Sequence, residues 1–383
     1  MAEPSARVDR HLFAVPRDSR PVMDLQYADE HVEILGCHPL SDLAQGDHLA
    51  VGVEAYVVAT RNLVAERDPA GYWWVNQRVE DDVRRLVEAG VERTVPLSGP
   101  RGRAALAAQH PVLDRWWGDA AEPGRDGADF CYMPRWREHV PSARALWPLQ
   151  NPDAPRLPFD HGALPSDDDW TVWSHVSDAV GIRSRAAVMA ALLRTRFVGH
   201  DWASWVSLAG GALLPVMSSA VALSVAGVDV DVELWDSDPE AMMLAETLAE
   251  KHELLGHFAV RGANLYDLAA LADVGPRYDM VDVLGFFEYL PTDLVPGLRV
   301  PTAGDFLSAA LSLAKPGGTL VLGNMLSSRP QLDFVTRLVQ WPYIRPRSLD
   351  ELLDVIRRAG VHDDQITLYL PDDGVYAVAT IDV

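Results

Sequence analysis

The stretch from Trp205 to Ala212, with the sequence WVSLAGGA, constrains the fold of this chain more than any other segment. An apolar run that ends in adjacent glycines predicts a β-strand opening into a tight turn, because glycine adopts backbone conformations that other residues rarely reach. A second apolar run ends at Asp236, 25 residues after Gly211. The spacing predicts a strand, a helix and a parallel second strand, which is the repeating unit of an α/β fold.

From Asp168 to the C-terminus this alternation continues, and it predicts a mostly parallel sheet covered by helices on both faces. The predicted strands are 205–209, 230–236, 258–260, 280–284 and 319–323, and the predicted helices are 169–196, 213–226, 239–255, 303–314 and 349–359. The C-terminal residues follow a different pattern from this alternation of strands and helices. Residues 366–370 and 375–381 flank the turn sequence PDDG, so they predict an antiparallel hairpin.

The N-terminal part of the chain has another character. Up to residue 165 its periodic segments are short, and six prolines between residues 141 and 165 predict a connector of extended or turning backbone. A chain of 383 residues exceeds the size of most single cores. We therefore expect an N-terminal substrate-binding or cap domain at 1–165 and an α/β domain at 166–383.

Charge narrows the expected partners. The formal net charge is -22, and Lys251 and Lys315 are the two lysines among 33 basic residues. No basic stripe is available for nucleic acid or an anionic membrane, so neither is expected as a partner.

The N-terminal residues lack the pattern of a secretory signal, which favours a cytoplasmic protein. Cys37 and Cys131 suggest neither a disulfide framework nor a metal site, and no metal is expected.

Five motifs in order carry a resemblance to a known superfamily. They are SLAGGAL at 207–213, the acid at 236, GANLYD at 262–267, YDMVDVLGFFEY at 278–289 and LAKPGGTL at 313–320. With the closing hairpin, they make residues 168–383 resemble the class I S-adenosylmethionine-dependent methyltransferases. The first strand of that superfamily usually ends in Asp-Leu-Gly-x-Gly-x-Gly. Here Ser207 replaces the acid, and Ala209 and Leu213 replace two of the glycines.

The resemblance implies a Rossmann-like sheet, mostly parallel with an antiparallel last strand, and S-adenosylmethionine as the cofactor. Asp236, followed by Ser237, would accept hydrogen bonds from the ribose hydroxyls. Asn264 and Leu265 would face the adenine, although Asn264 also suits a plain turn. Arg183 would bind the methionyl carboxylate, with a surface ion pair as the alternative. The remaining expected cofactor-binding residues are Ala209, Gly210, Gly211, Gly285 and Phe286.

Methyl transfer from a sulfonium requires alignment and exclusion of water, whereas a general base is optional. The loop after the fourth strand, residues 285–289, would meet the reactive centre. Glu288 and Tyr289 are therefore the expected catalytic residues, Glu288 as a base or charge partner and Tyr289 through a cation–π contact. Core packing and helix capping are the alternatives for this loop. A small organic acceptor would bind the N-terminal part, whose aromatic residues include Trp73, Trp74, Trp116, Trp117 and Trp136. These tryptophans would line its pocket, with a role as core and interface anchors as the alternative.

The leading expectation is a methyltransferase for a small molecule of bacterial secondary metabolism, with a homodimer as one option for its assembly. Transfer of the 3-amino-3-carboxypropyl arm, or its cyclisation, would use the same cofactor and release 5'-methylthioadenosine. A scaffold without cofactor fits Ser207 but not the retained Asp236. A nicotinamide dehydrogenase is disfavoured, because the Gly-x-Gly-x-x-Gly spacing is absent.

Overall fold

The computed structural model describes residues 32–39, 53–93, 110–117, 142–153, 167–297, 299–341 and 343–383, the first of these segments by its backbone. The chain divides into two compact units. The sheet unit comprises residues 1–61, 184–328 and 345–383, and the helical unit comprises residues 62–183 and 329–344. The assignment of a cap domain to 1–165 and a cofactor domain to 166–383 stays a prediction. Cys131, Trp136 and the connector residues 154–165 lie outside the described residues.

A nine-stranded sheet runs through the described part of the sheet unit. Its strands are β1 (Val32–Pro39), β2 (Glu54–Thr60), β3 (Trp202–Leu208), β4 (Asp229–Asp236), β5 (Phe258–Gly262), β6 (Tyr278–Val283), β7 (Ala314–Met325), β8 (Ile366–Pro371) and β9 (Tyr376–Asp382). Their spatial order is β1-β2-β8-β9-β7-β6-β3-β4-β5. Strands β7, β6, β3, β4 and β5 are parallel, whereas β9 is antiparallel to β7 and to β8. The expected sheet, with its antiparallel last strand, is confirmed.

The α-helices of the described residues follow in chain order. They are α1 (Leu63–Arg67), α2 (Pro69–Glu88), α3 (Pro111–Trp117), α4 (Ala143–Gln150), α5 (Asp167–His175), α6 (Ser177–Phe197), α7 (Leu214–Val225), α8 (Pro239–Lys251), α9 (Leu268–Ala272), α10 (Ala303–Leu311) and α11 (Leu349–Arg358). The helix predicted over 169–196 is thus two helices, α5 and α6, that meet at Val176. None of the described helices is long and apolar enough to cross a bilayer.

Local sequence explains where several elements begin. Asp238 caps α8, because its side chain accepts a hydrogen bond from the backbone N–H of Glu240, and Pro239 occupies the first turn. Ser348 and Glu351 form a capping box at the start of α11. Residues 314–318, which precede the strand predicted over 319–323, lie inside β7. The pairing of β6 and β7 shifts register there, so the strand accommodates Pro316 and its glycines as an irregularity.

One apolar core cluster of the sheet unit lies on one face of the central strands. Val206 and Leu208 of β3 and Val281 and Val283 of β6 belong to one apolar cluster that includes residues of α10 and α11. Successive side chains of a strand point to opposite faces. Ser207 and the residue paired with it on β6 therefore lie on the other face of the sheet.

The helical unit has its own packing. Val75, Val79 and Leu86 of α2 are buried. The indole N–H of Trp116 donates to Asp82, and its ring lies 5.6 Å from that of Phe334. Trp116 thus belongs to the core of this unit, which is the alternative given for these tryptophans. Of the others, Trp73 and Trp74 are exposed, and the side chain of Trp117 lies outside the described residues.

Candidate functional site

The turn that follows β3 has an unusual backbone. Ala209, Gly211 and Leu213 have φ angles of 52°, 58° and 55°, which place all three in the left-handed region. These are the positions where glycines stand in the motif that the segment resembles. A left-handed conformation costs a non-glycine residue about 1–2 kcal/mol. The chain therefore keeps the shape of a glycine-rich turn although two of the glycines are absent.

Gly210 lies where no side chain fits. A Cβ at this position would overlap with the Oγ of Ser207 and with the side chain of Leu213. Ser207 is the last but one residue of β3 and is fully buried. Its hydroxyl therefore limits where the backbone of the turn can lie.

Asp236 ends β4 beside this turn. Its Oδ2 accepts a hydrogen bond of 3.3 Å from the N–H of Gly211, and its Oδ1 accepts one of 2.9 Å from the N–H of Asp238. The side chain is buried, and burial raises its pKa against the opposing effect of the backbone donors, which include Ser237. Each carboxylate oxygen has a further lone pair. Asp236 is thus joined to the turn and can accept hydrogen bonds from a ligand diol.

The segment after β5 lies next to the end of β4, because the N–H of Ala263 donates to the carbonyl of Asp236. Leu265 is buried in the apolar cluster of the sheet unit. The side chain of Asn264 is exposed, and its Oδ1 accepts a hydrogen bond from the N–H of Tyr266. Asn264 therefore forms a local turn, and its contact with adenine stays a prediction.

The loop after β6 meets the same region through aromatic side chains. The ring of Phe286 lies 5.6 Å from that of Tyr266 and 5.3 Å from that of Phe306. Phe287–Tyr289 then form a short 3₁₀ helix. The ends of β3, β4, β5 and β6 are thereby linked, and we call the segments 209–213, 236–238, 263–266 and 284–289 the carboxyl edge.

Glu288 is buried in this loop. Its Oε1 lies 3.3 Å from the Nη1 of Arg185, whose guanidinium stacks 4.3 Å from the centre of the Tyr376 ring. Burial raises the pKa of Glu288 against the effect of the positive charges of Arg185 and Arg347. The Oε2 of Glu288 and the Nε of Arg185 have no hydrogen-bond partner among the described residues. One carboxylate oxygen is therefore still available to accept a proton.

Arg183 and Arg185 differ in their surroundings, although a single residue separates them on α6. Arg183 belongs to the helical unit, where its guanidinium donates to the carbonyls of Leu149 and Ser174. Arg185 belongs to the sheet unit, and its Nη2 lies 3.4 Å from where a Cβ of Gly285 would be. Binding of a methionyl carboxylate by Arg183 stays a prediction.

A buried acid of β6 contacts the end of β3. Asp282 pairs in register with Ser207, and its Oδ1 accepts a hydrogen bond of 2.9 Å from the Ser207 hydroxyl. Its Oδ2 accepts one of 2.7 Å from the indole N–H of Trp205. Burial raises the pKa of Asp282 to about 7, although both donors lower it.

The strand order decides the fold. From one edge inward the sheet runs β5-β4-β3-β6-β7-β9-β8, and the last strand, β9, is inserted antiparallel between β7 and β8. The glycine turn follows β3, and Asp236 ends the neighbouring strand β4. The chain has the class I methyltransferase fold. That sheet also carries β2 and β1 beyond β8.

Solved structures resemble this class I methyltransferase fold at low sequence identity. A possible exported protein from Bordetella parapertussis has a TM-score of 0.50 and 16% identity over 73% of this chain and 95% of that chain. An O-methyltransferase family protein from Burkholderia thailandensis has a TM-score of 0.41 and 16% identity over 84% and 97%. A 1,6-didemethyltoxoflavin-N1-methyltransferase from the same organism, with S-adenosylhomocysteine bound, has a TM-score of 0.34 and 19% identity over 52% and 77%. No protein-family model and no curated protein matches the sequence.

The class I methyltransferase fold brings most of the sequence-predicted residues to one edge. The residues on the carboxyl edge are Ala209, Gly210, Gly211, Asp236, Ser237, Asn264, Leu265, Gly285, Phe286, Glu288 and Tyr289. Their individual roles stay predictions. Asp282 was not selected from the sequence. The available signal was an acid inside an apolar strand, which needs a buried hydrogen-bond partner.

Proposed function

We propose that the chain is an S-adenosylmethionine-dependent methyltransferase that acts on a small organic acceptor. One observation carries the proposal. The carboxylate of Asp236, at the end of β4, is bound to the N–H of Gly211 in the turn after β3. A ligand with a ribose diol and a tail that lies against the backbone fits a carboxylate beside a turn in which two residues, Gly210 and Gly211, have no side chain.

The bound cofactor would supply a methyl group that is already activated by a sulfonium. Asp236 accepts hydrogen bonds from the ribose, and Leu265 offers an apolar surface to the adenine. Phe286 borders the site through its contacts with Tyr266 and Phe306. Water must be excluded during transfer, and the apolar side chains of this loop serve that purpose.

For an acceptor with a hydroxyl group, Glu288 serves as the base. A carboxyl group takes up a proton more readily when its pKa is raised toward neutrality, and burial raises the pKa of Glu288. Its Oε2 would receive the proton, while Oε1 stays near Arg185. Tyr289 lies next in the same 3₁₀ helix and completes the expected catalytic pair. An acceptor that is already ionised does not need the base.

The pathway and the location are proposed from composition and charge. The composition, with two lysines against many arginines, suits a protein of bacterial secondary metabolism. A net charge of -22 would repel nucleic acid, which favours a small organic acceptor. We propose a cytoplasmic location for the enzyme.

Calorimetric titration with S-adenosylhomocysteine tests the proposed cofactor. We expect wild-type protein to bind, and Asp236→Ala to weaken binding by about 10-fold or more, because hydrogen bonds to a carboxylate contribute about 1.5–3 kcal/mol each. Asp238→Ala is the matched control on the same loop. It removes the cap of α8, which costs about 1 kcal/mol of stability, and leaves ligand affinity unchanged. Absence of heat with wild-type protein at high micromolar ligand would contradict the proposal.

Product analysis separates methyl transfer from use of the other arm of the cofactor. The protein would be incubated with S-adenosylmethionine and a panel of phenols, alcohols and carboxylic acids. We expect S-adenosylhomocysteine as the product. Formation of 5'-methylthioadenosine would instead indicate transfer or cyclisation of the aminocarboxypropyl arm.

A further inference from the structure

Asp282 is a buried acid without a cationic partner among the described residues. Its side chain is 1% exposed and that of Ser207 is 0% exposed. The two donors to its carboxylate, the Ser207 hydroxyl and the Trp205 indole, both come from β3. Each oxygen has one donor, and neither reaches solvent. Asp282 therefore does not touch a ligand directly.

Burying a carboxylate without a cationic partner costs folding free energy. Desolvation of a carboxylate exceeds what two neutral donors return, and an apolar residue of similar size would normally serve the strand better. A position of this kind is explained when the acid holds a neighbouring group in place. The group held here is the Ser207 hydroxyl.

Ser207 connects Asp282 to the turn at 209–213. The turn begins two residues after Ser207, and a Cβ on Gly210 would overlap with the Ser207 Oγ. The hydroxyl and the backbone of Gly210 are therefore packed against each other. If the hydroxyl rotates away, the backbone of the turn loses the contact that limits its position.

The turn needs such a limit because it is strained. Ala209 and Leu213 adopt left-handed φ angles of 52° and 55°. Conformations of this kind persist only where the surroundings enforce them. Asp236 holds the turn from β4 through Gly211, and the Asp282 to Ser207 hydrogen bond holds it from β6.

We propose that Asp282 is a positioning residue for the adenosyl ligand, and that it acts through the Ser207 hydroxyl to keep the turn at 209–213 in its ligand-binding shape. The proposal rests on the proposed function. In the motif that this segment resembles, an acid stands at position 207. Here the neighbouring strand supplies that carboxylate, and a serine connects it to the turn.

A double-mutant cycle tests the connection. The dissociation constant of S-adenosylhomocysteine would be measured by calorimetry for wild type, Ser207→Ala, Asp282→Ala and the double variant. Each single variant is expected to weaken binding by about 10-fold. The double variant should bind no more weakly than the single variant with the larger loss, because the effects of coupled residues are not additive. Additive losses would overturn the proposal.

The chain offers a matched control on the same two strands. The Oγ of Ser204 donates to Asp279 over 2.7 Å at the other end of β3 and β6. Ser204→Ala and Asp279→Ala are expected to lower the unfolding midpoint while they leave the dissociation constant within about 2-fold of wild type, since additivity holds between distant sites. An equal loss of affinity in these controls would show that any weakening of the strands reduces binding, and the proposal would fall.

The conservative variant gives a rescue. In Asp282→Asn the amide oxygen can still accept from Trp205, and the amide N–H₂ can donate to a rotated Ser207 hydroxyl. We expect its affinity to stay within about 3-fold of wild type, against the loss of about 10-fold in Asp282→Ala. If Asp282→Ala does not fold, the test is the affinity of Ser207→Ala for S-adenosylhomocysteine compared with that of Ser204→Ala.

The outcomes separate the two proposals. Failure of wild-type protein to bind S-adenosylhomocysteine contradicts the proposed function and, with it, the role of Asp282. Binding by wild type with unchanged affinity in folded Ser207→Ala and Asp282→Ala contradicts only the role of Asp282.

Discussion

The two ends of β3 and β6 hold the same pair of residue types in different surroundings. At the amino end, Ser204 donates to Asp279 over 2.7 Å, and at the carboxyl end Ser207 donates to Asp282 over 2.9 Å. Asp279 is 33% exposed and lies 2.9 Å from the Nζ of Lys315. Asp282 is buried and has no ion pair among the described residues.

The surroundings give the two acids opposite pKa shifts. Burial raises the pKa of Asp279, but the hydrogen bonds from Ser204 and Lys315 outweigh it, so the pKa lies below its usual value. Burial dominates at Asp282 and raises its pKa to about 7. The comparison shows that the chain accepts the cost of a desolvated acid at the end of the strands that carries the glycine turn.

Glu288 extends the comparison between the two ends and gives the largest expected effect. Arg185→Ala would leave the Glu288 carboxylate buried without its partner, which typically costs about 3–5 kcal/mol. The loss would be measured as the free energy of unfolding in urea. Adding Glu288→Gln to the same chain should recover part of the loss. A loss below about 1 kcal/mol, as for an exposed pair, would mean that burial does not distinguish this end.

The pH dependence of stability follows from Asp282. Its pKa is about 7 in the folded state against an ordinary value of 3.8, so between these pH values the folded protein binds more protons than the unfolded chain. The free energy of unfolding therefore falls as the pH rises through this range, by about 4 kcal/mol from this residue. Asp282→Asn removes that contribution. The difference between wild type and variant, measured by denaturant unfolding from pH 4 to pH 8, should decrease with pH, and a constant difference would contradict the pKa.

A pair of glycines compares the two ends directly. A Cβ on Gly210 would overlap with Ser207 and Leu213, and a Cβ on Gly318 would lie 2.8 Å from the carbonyl oxygen of Lys315. Replacing either by alanine should cost about 1–3 kcal/mol. Affinity for S-adenosylhomocysteine should be lost in Gly210→Ala and retained in Gly318→Ala. Equal affinities in the two variants would separate the turn from ligand binding.

The smallest effect is expected at the amino end. Lys315→Ala removes the ion pair with Asp279, which is partly exposed, and such pairs contribute at most about 1 kcal/mol. The loss should shrink further in high salt, because exposed charges are screened. Urea unfolding at low and high salt would measure it. A loss as large as that of Arg185→Ala would remove the contrast between the ends.

Much of this architecture could be predicted from local patterns. The alternation of apolar strands and helices from residue 168 onward predicts the parallel sheet, and the PDDG turn predicts the antiparallel hairpin of β8 and β9. The residues of the carboxyl edge follow from the same pattern, since the ends of parallel strands meet at one edge. These features depend on periodicity and turn chemistry, which a sequence displays directly.

Other features could not be read from the pattern. The apolar spacing from 169 to 196 continues through the break between α5 and α6, and the strands β1 and β2 join the sheet beyond β8 from far away in the chain. The sequence also suggested an eroded turn at 209–213. In the structure the backbone of that turn still adopts left-handed angles at all three expected positions.

The amino-acid sequence alone determined most of the strands, helices and turns from residue 168 onward, and which strand ends carry Gly211 and Asp236. Only the tertiary structure decided which side chains of distant segments meet: Ser207 with Asp282, and Arg185 with Glu288. The reason is physical. Secondary structure follows from neighbours along the chain, whereas the pairing and desolvation of charges depend on residues that are distant in sequence.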